Sequence, residues 1–244
     1  NHNTMLIRRN TECQLDKTRS SKNKSESGTL GGHCMGSCAI IYLTMKLSVT
    51  LATYNEAANI SRCLEAVKDV ADEIIVVDGS STDATREIAK SFGARVIKTT
   101  NPAIFHINKQ KANDLAKGDW ILQLDADEIV TPELKKEIKL LLSDKYYGVD
   151  RWVSPIKKLL VKKPKALTTA AAAYYLTRKN FFLGRQLKHA GQYPDPVIRL
   201  FQRGRAHLPA KDVHEQMVVD GPIGFLTADL DHHATPDFGR YLVR

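Results

Sequence analysis

Glu73-Ile74-Ile75-Val76-Val77-Asp78-Gly79-Ser80-Ser81-Thr82-Asp83 decides the architecture of this chain. Its apolar half is a continuous β-branched run without polar alternation, the pattern of a strand buried on both faces of a parallel sheet. Thr82 and Asp83 are suited to cap a following helix, Ala84 to Phe92, which Gly93 ends. Upstream, Leu47 to Leu51 reads as a short strand. Asn55 to Asn59 then opens a helix whose apolar positions Ile60, Cys63, Leu64 and Val67 recur at helical spacing. Downstream, Ala94 to Ile97 is a third strand, Lys109 to Lys117 a helix, and Trp120 to Leu124 a fourth strand. Thr131-Pro132-Glu133 starts another helix, with proline at its first position, running to about Ser143.

Strands alternating with helices at this spacing predict an α/β fold: an open, largely parallel sheet with helices on both faces. Ligands of such sheets bind beyond the carboxyl ends of the strands. Three loops therefore converge on one site: Ala52 to Glu56, Asp78 to Asp83, and Asp125 to Glu128. Beyond residue 150 the pattern is less regular. Tyr174 to Leu176 and Val197 to Phe201 read as strands beside the sheet, shaping a second binding site.

Asp125 and Asp127 stand two apart just past an apolar strand. A hard divalent cation, Mg2+ or Mn2+, takes oxygen ligands and bridges carboxylates to substrate phosphates, so this pair suits a metal that holds a diphosphate. A solvated turn, with Asp127 capping a helix, is the plain alternative. Asp78 can accept a hydrogen bond from a base or ribose while Gly79 lets the backbone approach a ligand; an ordinary turn is again the alternative. The loop lacks G-x-G-x-x-G spacing, and no G-x-x-x-x-G-K-[ST] loop exists, which excludes the common dinucleotide and P-loop sites.

Together these segments resemble the catalytic domain of glycosyltransferase family 2, with its GT-A fold. Thr53-Tyr54-Asn55-Glu56 is similar to that family's T-x-N-E motif, Val76 to Asp83 to its V-D-x-x-S-x-D motif, and Lys117-Gly118-Asp119-Trp120 through Leu124-Asp125-Ala126-Asp127-Glu128 to its G-D-W…L-D-A-D-E motif. A narrower resemblance, to lipopolysaccharide core glycosyltransferases of the WaaE/KdtX type, rests on Arg178 to Arg185, Gly191 to Asp195, Arg199-Leu200-Phe201 and Val213-His214-Glu215. Gln110 and Gln192 depart from that pattern, and relatives of this kind continue beyond the position of Arg244.

The resemblance implies an inverting, metal-dependent transfer of a hexose from a nucleotide-sugar, a UDP-sugar being favoured, to a cell-surface glycan or glycolipid such as lipopolysaccharide core. Ala52, Tyr54, Glu56, Asp78, Lys109, Asp125 and Ala126 would bind the nucleotide-sugar, with Tyr54 near the base and Lys109 near the phosphates. Asp125, Asp127 and His214 would hold Mg2+ or Mn2+. Asp195 would be the base that takes the acceptor proton, with Glu215 as the alternative. Arg199 would pair with phosphate or anchor Asp195. The rival classes are a sugar nucleotidyltransferase, which would release pyrophosphate, and a non-catalytic glycan-binding module.

Composition fits an ordinary soluble globular protein: 43% hydrophobic and 26% charged residues across 244 positions. The donor-binding half is expected over 46–150 and the acceptor-side half of the same domain over 151–244. Residues 1–45 lack periodicity and read as a disordered extension, with Met45 as the expected natural start. Cys13, Cys34 and Cys38, even with His33, fit no common zinc spacing, and reduced thiols are expected. No apolar run is long enough to span a bilayer and no leader pattern stands at the start, so a cytoplasmic location is expected. The net charge is +9. The basic run Lys157 to Lys165 suits anionic lipid at the inner face of the cell membrane, or a phosphorylated acceptor, as well as plain solvation. Nucleic acid is not an expected partner, since no recognition module accompanies the charge.

Overall fold

The computed structural model describes residues 45–143, 171–209 and 216–235. Strands and helices alternate through the first segment: β1 (Leu47–Thr53), α1 (Ile60–Val67), β2 (Glu73–Asp78), α2 (Thr85–Ser91), β3 (Arg95–Lys98), α3 (His106–Asp114), β4 (Trp120–Leu124), β5 (Glu128–Val130) and α4 (Pro132–Leu142). There follow β6 (Ala173–Phe182), β7 (Arg185–Gln186), β8 (Asp195–Gln202), β9 (Ala206–His207), β10 (Val218–Val219) and β11 (Ile223–Thr235). The expected extension, the basic run at 157–165, the three cysteines before Cys63, His214 and Glu215 lie outside the described residues. Among the described residues no helix is long and apolar enough to cross a membrane.

The main sheet has the order β3-β2-β1-β4-β8-β6-β11-β5, with β7 on the margin of β6. Its first four strands are parallel, as the alternation of strands and helices predicts. β8 then inserts antiparallel between β4 and β6, β11 runs parallel to β6, and β5 pairs antiparallel with β11. The second half thus continues the same sheet. Three residues after leaving β4, the chain enters β5 at the other end of the strand order, so the sheet curls back on itself.

Strand alternation divides the core between two faces. Leu47, Val49 and Leu51 of β1, Ile74 and Val76 of β2, and Trp120, Leu122 and Leu124 of β4 pack with Ile60, Leu64 and Val67 of α1 and Leu134 and Ile138 of α4. Ile75, Val77, Ile121 and Phe201 meet Ala112 and Ala116 on the opposite face, beside α3. Helices cover both faces. Each fully buried aliphatic side chain contributes about 1.5–3 kcal/mol, and this cladding fixes the strand ends that carry the loops.

Local chemistry accounts for several element boundaries. Thr131 caps α4 by accepting from Leu134 N at 3.2 Å, with Pro132 at the first helical position. Gly93 ends the turn after α2 at φ 77°. α1 begins at Ile60, later than the sequence pattern predicts, because Asn55 sits at φ 56° and starts a turn instead.

Gly118 precedes β4 where a Cβ would stand 2.7 Å from Ser48 Oγ, 2.8 Å from Ser48 N and 2.9 Å from Lys46 O. Two of these are backbone atoms and cannot swing away. Gly118→Ala is therefore expected to cost about 1–3 kcal/mol through overpacking, read as a lowered urea midpoint with an unchanged slope. An alanine variant as stable as the parent would show that β1 and β4 can part here.

Candidate active site

Parallel register brings the predicted loops together. Thr53 pairs with Asp78 across β1 and β2, and Leu51 with Leu124 across β1 and β4, so three strands end at one level. The first two loops are laced to each other. Asn55 N donates to Ser81 Oγ at 2.8 Å, Thr82 N to Asn55 Oδ1 at 2.8 Å, Glu56 N to Thr85 Oγ1 at 2.8 Å, and Ala57 N to Asp83 Oδ2 at 3.1 Å. Asp83 also accepts from Thr85 N at the start of α2, close to its predicted capping role.

Asp78 is fully buried. Its carboxylate accepts from Thr53 Oγ1, Ser81 N and Ser81 Oγ, and Arg86 stands 3.7 Å away. In this arrangement it organises the loops and offers a ligand no free edge. Ala52 and Glu56 are partly exposed, and Tyr54 is 46% exposed at the end of β1. Glu56 accepts from Asn59 Nδ2 at 2.8 Å.

Asp125 lies between two cations. Lys109 on α3 ion-pairs with its Oδ1, and Arg199 Nη2 on β8 meets its Oδ2 at 2.7 Å. Burial works against the charged carboxylate, but Lys109 and Arg199 outweigh it and hold Asp125 well below the usual carboxylate range. Arg199 is itself enclosed. It reaches Glu128 through Nε at 3.0 Å and Nη2 at 2.8 Å, and Gln123 through Nη1 at 3.1 Å. Burial would discharge it, yet Glu128 and Asp125 more than compensate and keep it protonated. Asp125 N donates to Glu128 Oε2 at 3.0 Å, which folds the loop over this cluster. Ala126 is buried beneath it.

The sequence reading had Arg199 reach phosphate or Asp195. In the structure it holds Asp125 and Glu128, and Arg178 on β6 takes Asp195 instead, at 2.7 Å. β6 lies between β8 and β11, so Arg178 arrives from a strand the sequence pattern located only loosely.

Asp127 occupies a different environment. Burial, reinforced by Asp125, Glu128 and Glu56, raises its carboxyl above the ordinary value, with His232 opposing. His232 Nε2 stands 3.7 Å from Asp127 Oδ1, and His233 N donates to Asp127 O at 2.9 Å. His232 Nδ1 lies 2.6 Å from Asn180 Oδ1, and Asn180 Nδ2 donates to Asp195 Oδ2 at 3.1 Å. Arg178 Nη1 approaches Glu128 at 3.7 Å. A continuous series of contacts results, from Asp125 through Arg199, Glu128, Arg178, Asp195, Asn180 and His232 to Asp127. Sequence reasoning missed Arg178, Asn180 and His232. The signal available was a doubled histidine after an acidic residue, Asp231-His232-His233.

Among the described residues no three His, Cys, Asp or Glu side chains stand together as a metal cage. Asp127 and His232 nonetheless fit a cation held jointly with a ligand. Two donors at about 2.1 Å from one ion stand no more than about 4.2 Å apart, and Mg2+ or Mn2+ in such sites uses one or two protein ligands plus phosphate oxygens. Asp125, already paired on both oxygens, fits a metal less well. Cys63, the free thiol of α1, points at Asp125 O from 3.6 Å. Burial, then the charges of Glu128, Asp127 and Asp125, raises its pKa well above normal, so it packs as a thiol and not as a thiolate ligand.

This architecture is the GT-A fold of glycosyltransferases. The S. aureus TarS 1–349 structure in complex with UDP superposes with a TM-score of 0.54 at 17% identity, over 79% of this chain and 61% of that one. The profile of glycosyl transferase family 2 matches residues 48–205, and the chain belongs to that family. Among curated relatives, an uncharacterized glycosyltransferase of Rickettsia bellii (strain RML369-C) is 42% identical over 120 residues, covering 49% of this chain and 40% of its own length. A TPR repeat-containing protein of Synechococcus elongatus is 39% identical over 187 residues, 70% of this chain and 46% of its own length. The chain thus spans about half, or less, of the curated relatives it matches.

Proposed function

We propose that the protein transfers a hexose, with inversion, from a nucleotide-sugar to a cell-surface glycan or glycolipid acceptor, lipopolysaccharide core being the favoured kind. The observation that carries this reading is the division of labour within Asp125-Ala126-Asp127. Asp125 is neutralised by Lys109 and Arg199, while Asp127 faces His232 and, among the described residues, no Lys or Arg ion-pairs with it. A UDP-sugar is the favoured donor, its base against Tyr54 and the loops organised by Asp78. Mg2+ or Mn2+ would be held by Asp127 and His232, where bound metal stabilises the charge on a departing diphosphate. His214, the histidine first assigned to the metal, stays a proposal outside the described residues, as does Glu215. Peripheral contact of the 157–165 run with the inner face of the cell membrane belongs to the same proposal.

Asp195 is the base in this reading. Arg178 and Asn180 hold its Oδ2, which aims the carboxylate and leaves Oδ1 for an acceptor hydroxyl. The direct test is a panel of UDP-, GDP- and dTDP-sugars with Mn2+ or Mg2+, followed by nucleoside diphosphate release. UDP release without pyrophosphate is expected, and Asp195→Asn should lower kcat by about 10²–10⁴-fold while donor binding persists. If no nucleotide-sugar binds in the presence of metal, the proposal fails.

A further inference from the structure

The two ring nitrogens of His232 have different neighbours, and those neighbours decide which one carries the proton. Nε2 faces Asp127 Oδ1, and Nδ1 lies 2.6 Å from Asn180 Oδ1. The orientation of the Asn180 amide follows from its other partners. Its Nδ2 stands 3.0 Å from the Gln192 carbonyl and 3.1 Å from Asp195 Oδ2, and both are acceptors. A reversed amide would set oxygen against oxygen at both contacts and is excluded on the donor and acceptor inventory alone. The oxygen of Asn180 must therefore face the ring, and that oxygen can only accept. Nδ1 must be the donor.

Backbone geometry keeps this pair in register. Asn180 of β6 is the partner of His232 in β11, so the amide and the imidazole rise side by side from adjacent strands. His233 N to Asp127 O ties the next residue of β11 to the Asp127 loop. Residues on three elements thus agree on where the ring stands. With the proton on Nδ1, the lone pair of the neutral ring is on Nε2. It then points at a carboxylate oxygen 3.7 Å away. Two electron-rich atoms at this spacing make no hydrogen bond with each other and leave room for a cation between them.

We propose that Asn180 is a positioning residue that fixes His232 as the Nδ1–H tautomer, so that Nε2 and Asp127 together present a seat for a divalent cation. The cation part rests on the metal-dependent reading above; the tautomer part does not. A hydrogen bond on the far nitrogen of a ligating histidine sets both ring orientation and basicity, and its loss costs about 10–100-fold in metal affinity. The same amide grips Asp195, so one side chain orients a residue on the donor side and a residue on the acceptor side.

The experiment uses the full 15N-labelled chain, free of metal, at a pH where the ring is neutral. Long-range proton–nitrogen correlation spectra distinguish the tautomers directly, with His232→Gln assigning the signal. The wild type is expected to show Nδ1–H, and Asn180→Leu to revert toward Nε2–H, the tautomer favoured in water. Asn180→Gln keeps both an amide oxygen to accept from Nδ1 and an amide N–H for Asp195, and should retain the Nδ1–H pattern, a rescue that a packing role would not produce. It also covers the case in which the leucine variant does not fold. An Nε2–H ring in the wild type, or an unchanged tautomer in folded Asn180→Leu, overturns the assignment. Mn2+ titration of the same samples, read by paramagnetic broadening, is expected to weaken about 10–100-fold in Asn180→Leu. If Mn2+ does not bind the wild type while the tautomer result holds, the metal reading falls and the role of Asn180 stands.

Discussion

Replacing Arg199 with methionine is expected to destabilise the protein by about 3–5 kcal/mol, because it strands Glu128 in the interior and leaves Asp125 to Lys109 alone. Glu128 has no exposed side-chain surface, and Arg199 is its principal cation, with Arg178 at 3.7 Å a distant second. For a domain of this size the loss corresponds to a fall in Tm of roughly 6–20 °C. The control is the double variant Arg199→Met with Glu128→Leu. Removing both members of a buried pair costs far less than removing one, so the double variant should recover much of the lost stability. It should not recover activity, since the loop from Asp125 to Asp127 also loses the Asp125 N to Glu128 bond. A single variant within about 1 kcal/mol of the parent would show that the buried charges do not hold this part of the fold.

Asp127→Asn is expected to act in the opposite sense on stability and far more strongly on turnover. The asparagine keeps the size of the side chain but removes a charge that burial, Asp125, Glu128 and Glu56 all disfavour. The Tm should hold or rise. Catalysis should fall about 10³-fold, because a metal contributes several kcal/mol to a departing diphosphate and each 1.36 kcal/mol is a factor of ten. Mn2+ affinity should fall with it. Steady-state kinetics and a Mn2+ titration on the same preparation check this, and a variant with undiminished kcat would move the chemistry away from Asp127. Lower activity at equal or greater stability is the usual mark of a residue retained for function.

The parallel half of the fold is visible in the sequence because its strands carry their own signature. Ile74 to Val77 and Trp120 to Leu124 are buried on both faces, so apolar residues fill them, Gln123 alone excepted, and they need no context. β5 and β11 carry no such signature. Glu128-Ile129-Val130 is too short to show a period, and β11 mixes Gly224, Ala228, Asp229 and His232 along one strand. It forms because β6 and β5 offer it partners on either side. The same contrast holds in the site. Asp125 and Asp127 stand in a recognisable triplet, whereas Asn180 and His232 gain meaning only when β6 and β11 lie side by side. The roles of Lys109 and Arg199 shift for a related reason: sequence shows a cation near a phosphate site, but only packing shows that each is already paired with Asp125.

The pairing of β5 with β11 has a consequence for the order of events during synthesis. The loop from Asp125 to Asp127 is anchored on one side by β4, which finds β1 early, and on the other by β5, whose partner strand comes much later. Thr131 and Asp229, which bond across this seam, are 98 residues apart. A ribosome-bound chain that has not yet released β11 therefore carries the acidic triplet without its histidine and without the far wall of the sheet. Long-range closure of this kind is slow relative to local folding. The wall of the Asp125–Asp127 loop is thus completed only after the second half of the domain has emerged.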